Sequence, residues 1–190
     1  MPRWEPDARE RLVGAALHLF TEQGYDDTTV AEIADLAGLT KSTFFRHFSD
    51  KREVLAAGQG ALSRLLADGI VEAPSEATSL GAVAAGLQHA AEAMTPFNRE
   101  LGPRLAAIIA TSAELQERDA LKRVGMAAAM ADALRGRGID ESTAIMAAEL
   151  GVLAFKESFT AWIADDNVRE LGDLARESLD RLRLAISQLG

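Results

Sequence analysis

The sequence predicts an all-α protein of about nine helices, and three observations carry that expectation. Apolar residues recur at three- and four-residue spacing along almost the whole chain, with no run of strand-like alternation. Alanine is abundant, and the prolines, at Pro2, Pro6, Pro74, Pro96 and Pro103, leave long uninterrupted stretches. Residues suited to open a helix, and glycines suited to end one, fall between those stretches.

Taken in order, Arg9 to Phe20 reads as a helix with Leu12, Ala15, Ala16, Leu19 and Phe20 on one face and Gly24 as its stop. Thr29-Val30-Ala31-Glu32 has the spacing of a capping box, in which hydroxyl and carboxylate each close an amide of the other. Val30, Ile33, Ala34 and Ala37 then follow at i, i+3, i+4 and i+7, the stripe of a short buried helix. Gly38 breaks it, Leu39 inserts into the turn, and Thr40 caps a third helix through Phe48. Ser49 and Asp50 open a fourth, from about Lys51 to Ile70. The polar segment EAPSEATS, 72–79, reads as a linker. Further helices are expected near Leu80–Met94, Phe97–Thr111, Ala113–Arg137, Glu141–Ala164 and Val168–Leu189, with GRGID at 136–140 parting the third of these from the fourth. The expected organisation is a helix-turn-helix domain over 1–53, a connecting helix over about 51–70, and a larger helical domain over 71–190.

At 190 residues and 48% hydrophobic, the chain has enough apolar side chains to bury a core. It contains no cysteine, which removes disulfides, thiolate metal sites and cysteine nucleophiles together. A charged N-terminus with no apolar run behind it, and no stretch of roughly 18–20 apolar residues, leads to the expectation of a cytoplasmic protein without a membrane partner. The sequence lacks G-x-S-x-G, a P-loop, H-E-x-x-H and any Glu-x-x-His pair, and His18, His47 and His89 are far apart. No catalytic residue, metal or cofactor is therefore expected, and an enzyme is the weaker reading.

Charge is segregated. The formal net charge is -9, yet between Leu39 and Arg52 the residues Lys41, Arg46, Lys51 and Arg52 face a single acid, Asp50. At 100° per residue, Phe44 and Phe48 share the inward face of the third helix, with Thr40 and His47 near it. Ser42 and Arg46 point the opposite way, flanked by Thr43 and Phe45, with Lys41 at the margin. This outward face begins at the helix start, and it offers what reading the DNA major groove requires: small hydroxyls for close approach and an arginine able to fork onto guanine. On this reading Lys41, Ser42, Thr43 and Arg46 discriminate bases. The amides at the helix starts near Thr29 and Thr40, together with Lys51, meet phosphates. Periodicity alone leaves a plainer possibility open, since short amphipathic helices around a glycine turn occur in many all-α proteins.

The stretch GYDDTTVAEIADLAGLTKSTFFRHFSDKREVL resembles the N-terminal DNA-binding domain of the TetR family of bacterial transcriptional regulators. The pattern is matched at Gly24-Tyr25, Thr29, Ile33-Ala34, Ala37-Gly38-Leu39-Thr40, Phe44, His47-Phe48 and Lys51, about a quarter of the chain. One departure stands out: the family most often has tyrosine at the position of Phe45, whose hydroxyl touches phosphate. Phe45 is left with apolar contact to sugar or a thymine methyl. His47 either touches phosphate or packs to close the helix.

The resemblance implies that the larger part binds a ligand and dimerises. The implied function is a ligand-responsive repressor that binds a near-palindromic operator as a homodimer and is released by a small, largely apolar effector. The start of the chain, the TFFRHF helix and Phe155, Phe159 and Trp162 also resemble a subgroup thought to sense acyl-CoA-like ligands. The alternative is an all-helical small-molecule carrier or interaction module that binds no operator. The helix from Glu141 carries one apolar stripe of Ile145, Ala148, Val152, Phe155, Phe159 and Trp162, and a second of Met146, Leu150, Leu153 and Ala161. A helix apolar on two sides needs two partners. The last helix carries Val168, Leu171, Ala175, Leu179, Leu182, Ile186 and Leu189. Candidate dimer residues are Val152, Trp162, Leu171, Leu179, Leu182 and Ile186. Candidate pocket residues are His89, Met94, Phe97, Arg104, Ile108, Met126, Met130, Phe155 and Phe159, for each of which plain core is the competing assignment.

Overall fold

The computed structural model describes residues 8–56, 59–111 and 113–188. They contain ten helices and no strand: α1 (Ala8–Glu22), α2 (Val30–Leu36), α3 (Lys41–His47), α4 (Lys51–Ala56), α5 (Gln59–Glu72), α6 (Ser79–Glu92), α7 (Pro96–Thr111), α8 (Ala113–Gly136), α9 (Glu141–Trp162) and α10 (Leu171–Ser187). The expected helix over 51–70 is described as α4 and α5, which is why the number is ten rather than about nine; residues 57 and 58 between them lie outside the described residues. So do residues 1–7 and Leu189.

The chain divides into two compact units, one of Met1–Gly58 with Glu100–Arg118, the other of Gln59–Arg99 with Asp119–Gly190. In the first, α1 packs against α2, α3 and α4, and α2 against α3. Leu12, Ala16, Phe20, Ile33, Ala34, Phe44 and Phe48 are buried there, the apolar faces that the periodicity of each helix predicts.

In the second unit α6 packs against α5, α9 and α10, and α9 against α10. Its core gathers Leu66, Ile70, Val83, Leu87, Met126, Met130, Leu134, Ala148, Val152, Phe155 and Trp162. The α5–α6 crossing is held close by two glycines. A Cβ placed on Gly86 would stand 2.5 Å from the carbonyl oxygen of Leu66, and one on Gly69 would stand 2.8 Å from the Cα of Gly86. Arg137, just beyond α8, donates from Nη1 to the carbonyls of Ile70 and Ala73 at 3.2 and 2.8 Å and from Nη2 to that of Pro74, satisfying the open C-terminal end of α5.

The last helix starts later than its apolar pattern predicts. Val168 is 91% exposed rather than part of the stripe. The Asn167 amide donates to the carbonyls of Trp162 and Arg169 while its oxygen accepts from the Arg169 amide, and this side-chain turn holds the segment out of helix until Leu171.

Because the α5–α6 contact is backbone on backbone, Gly86→Ala should lower stability by about 1–3 kcal/mol. A urea titration followed by far-ultraviolet circular dichroism checks this; an unchanged midpoint would mean that the crossing has room to open.

Candidate nucleic-acid interface

The two short helices of the first unit are closed by the chemistry their sequence carries. At α2, the Glu32 amide donates to Thr29 Oγ1 at 3.3 Å and the Thr29 amide donates to Glu32 Oε2 at 2.8 Å, a complete capping box. The Thr29 hydroxyl holds the Glu32 carboxyl below the usual carboxylate range. At its far end Gly38 takes φ of 65°, and the amides of Gly38 and Leu39 return to the carbonyls of Asp35 and Ala34 at 2.9 and 2.8 Å. This left-handed turn, which only glycine adopts without strain, sends the chain into α3. There Thr40 accepts from the Thr43 amide at 3.1 Å, and the two hydroxyls share a bond of 3.0 Å.

The faces of α3 divide as their angular positions predict. Phe44 and Phe48 are buried, with ring centroids 5.5 Å apart. Lys41, Ser42, Phe45 and Arg46 are exposed, as are Thr29 and Thr40, while Thr43 and His47 are half-buried. His47 lies against Phe48 at 6.4 Å, so its ring takes part in packing the end of the helix.

Lys51 has a task that residue type alone does not reveal. Its half-buried ammonium donates to the carbonyls of Tyr25, Asp26 and Thr28 at 2.6, 3.0 and 2.9 Å and stands 4.5 Å from the Tyr25 ring centre. It bolts the α1–α2 loop to the start of α4, and that loop ends in the Thr29 cap. The guanidinium of Arg11 acts similarly on the other end of α2, donating to the carbonyls of Ala37 and Gly38. Sequence reasoning missed Arg11, because one arginine on an exposed helix position carries no signal of what lies 26 residues on.

These contacts sort the local cations. Arg52 pairs with Asp50 through its Nε at 2.8 Å, and that hydrogen bond holds the Asp50 carboxyl low. Lys51 is engaged by carbonyls. Among the described residues, no hydrogen bond or ion pair engages Lys41 or Arg46. What faces outward from α3 is therefore two uncompensated cations, the Ser42 hydroxyl and the Phe45 ring.

The residues proposed for a pocket do not all fall together. Met126, Met130 and Phe155 are buried in the core of the second unit, with Met94 and Phe159 packed against it. Phe97 is half-buried, and His89 pairs with Glu72 at 3.8 Å. Arg104, exposed, and Ile108, buried, belong to the first unit. Phe155, Phe159 and Trp162 form an aromatic run along α9, with centroids 5.8 and 5.7 Å apart. Of the dimer candidates, Val152, Trp162, Leu171 and Leu179 are covered by their own chain and leave little surface for a second copy, and Leu182 is partly covered. Ile186 is exposed, and with it Leu184 on α10 and Ile145, Met146 and Leu153 on α9.

Comparison with known proteins adds to this geometry. Residues 12–57 match the family described as bacterial regulatory proteins, tetR family. The transcriptional regulator TcmR of Streptomyces glaucescens is 50% identical over 46 residues, which are 24% of this chain and 20% of that protein. SrpR of Pseudomonas putida is 43% identical over 51 residues, 27% of this chain and 24% of that protein. The matches thus span only about a fifth to a quarter of these relatives' own lengths. Over the whole fold, FadR from Bacillus subtilis, solved in complex with stearoyl-CoA, is similar at 20% identity with a TM-score of 0.55, covering 90% of this chain and 96% of that one. At that identity the likeness is one of fold.

Two outcomes are expected for the closed turns. Lys51→Met should cost about 1–3 kcal/mol of stability, since the half-buried carbonyls of Tyr25 and Thr28 lose a charged donor, while that of Asp26 is open to water; thermal unfolding of the full chain checks it, and an unchanged midpoint would mean water replaces the ammonium without loss. The Glu32 carboxyl, lowered from 4.5, supports its cap above that value and loses this contribution as pH falls through its lowered folded value. Glu32→Gln, which keeps a capping side chain without the titration, should flatten the acid limb of the stability profile.

Proposed function

The N-terminal domain is that of the tetR family of bacterial regulatory proteins, and from that premise we propose that the chain is a ligand-responsive transcriptional repressor that binds a near-palindromic DNA operator as a homodimer. The observation that carries the reading is the outward strip of α3. Among the described residues no hydrogen bond or ion pair engages Lys41 or Arg46, which stand, in a chain of net charge -9, beside Ser42 and Thr43 on a helix whose other face is locked by Phe44 and Phe48. Arg46 offers a planar fork suited to guanine O6 and N7, and Lys41 and the hydroxyls complete the base contacts. The helix starts at Thr29 and Thr40 supply phosphate contacts that fix register. Lys51 serves the same surface by holding the loop that presents the Thr29 turn.

The homodimer would form on the apolar side chains that the chain leaves open on two packed helices, Ile145, Met146 and Leu153 of α9 with Leu184 and Ile186 of α10. Two-fold pairing then sets two reading helices about one turn of DNA apart, roughly 34–36 Å. For the effector, the apolar interior of the second unit and its aromatic run along α9 support a largely apolar molecule. A neighbour of the same fold, FadR of Bacillus subtilis, holds stearoyl-CoA, which favours the acyl-CoA-like class. The carrier alternative would leave the outward cations of α3 without a task.

Binding to a duplex selected from the source genome should weaken steeply with salt, because each phosphate neutralised contributes a slope near -0.9 in log–log form. Arg46→Ala should cost about 1–3 kcal/mol on that duplex and relax its sequence preference. Fluorescence anisotropy across a salt series reads both, and binding indifferent to salt would contradict the regulator reading. Leu153→Glu should convert the dimer to a monomer in light scattering; an unchanged mass would place the interface elsewhere.

A further inference from the structure

We infer that Phe45 reads a thymine 5-methyl group in the major groove, an inference that rests on the DNA-binding reading and gives it a base preference. The ring is 56% exposed, so it contributes little to the core of its own domain. It is nevertheless held in place: it meets the buried ring of Phe44 edge-on, with centroids 5.5 Å apart and planes at 82°. An edge-to-face pair of this kind resists rotation of the outer ring.

Its neighbours place it within the reading strip. Lys41 and Ser42 lie four and three residues before it on the same helix, which makes both of them its surface neighbours. At roughly 100° per residue the ring stands between the directions of Lys41 and Ser42, with Arg46 on the far side of Ser42. An apolar ring thus sits inside an otherwise polar and cationic surface.

A phenyl ring has no hydrogen-bond donor for a phosphate oxygen, and its desolvation is favourable only against an apolar surface. On the major-groove edges of the bases the largest apolar group is the C5-methyl of thymine, where cytosine carries only a C5–H. Of the two apolar surfaces open to Phe45, the sugar lies on the backbone and the thymine methyl lies within the groove that Arg46 and Ser42 address. Removing one buried methyl corresponds to about a fourfold loss in affinity.

The test begins with the full chain selecting duplexes from a random-sequence pool, followed by replacement of each enriched thymine with deoxyuridine, which deletes only the methyl. At fixed salt, at least one position should weaken about fourfold for the native chain. Phe45→Ala should bind the thymine and deoxyuridine duplexes alike, and Phe45→Leu should keep part of the difference. Indifference of the native chain at every thymine would overturn the inference, as would a methyl preference that survives Phe45→Ala. So would Phe45→Tyr tightening selected and random duplexes equally with deoxyuridine tolerated, the signature of a backbone contact. A pool from which nothing is enriched would contradict the DNA-binding reading, and the inference with it.

Discussion

The ammonium of Lys51, donating to three carbonyls of the α1–α2 loop, is the interaction on which the rest of the first unit depends. The loop is also packed through the buried Tyr25 ring, 5.0 Å from the ring centre of Phe20. Its backbone passes Gly24 at φ 89° and must end with Thr29 extended so that the capping box can form. A single cation meeting the carbonyls of Tyr25, Asp26 and Thr28 sets the loop's path and ties it to the start of α4. The buried Thr28 hydroxyl adds a bond of 2.7 Å to the Gly24 carbonyl, closing the loop on itself. With the entry to α2 fixed in this way, Gly38 and Arg11 fix its exit, and α3 is presented with one face free.

Electrostatics then follows from which cations remain. Four basic residues lie between Leu39 and Arg52, and counting them overstates the field they project. Arg52 is offset by Asp50, and Lys51 is directed into its own domain. The remaining pair, Lys41 and Arg46, stands on the outward face of α3. In a chain of net charge -9 that arrangement disfavours binding DNA anywhere else, because the acidic remainder repels phosphate. Specificity of place comes from the subtraction as much as from the cations themselves.

The first unit was legible because its information is local. Thr29 with Glu32, Thr40, Gly38 and the Phe44–Phe48 pair each act within a turn or two, so spacing alone places the helix boundaries and the outward strip. Lys51 shows the limit of such reasoning: its partners lie 23 to 26 residues away, and no pattern in sequence distinguishes an ammonium bound to carbonyls from one held for phosphate. The start of α10 at Leu171 departs from the apolar period for a related reason. Val168 fits the stripe by period, but the Asn167 side chain ends that regularity through bonds that periodicity does not register. On α9 both stripes were legible, yet which one faces the chain's own core is decided by packing. Val152 and Trp162 went inward, while Met146 and Leu153 stayed open.

We propose that the outward strip of α3, held by the loop clamp, is the surface that meets DNA. Amide hydrogen exchange of the full chain, with and without a duplex it has selected, tests this most directly. New protection is expected over residues 29–47, at the capped starts of α2 and α3 and along the reading helix. Exchange unchanged over 29–47, with protection appearing instead over the helices of the second unit, would contradict it.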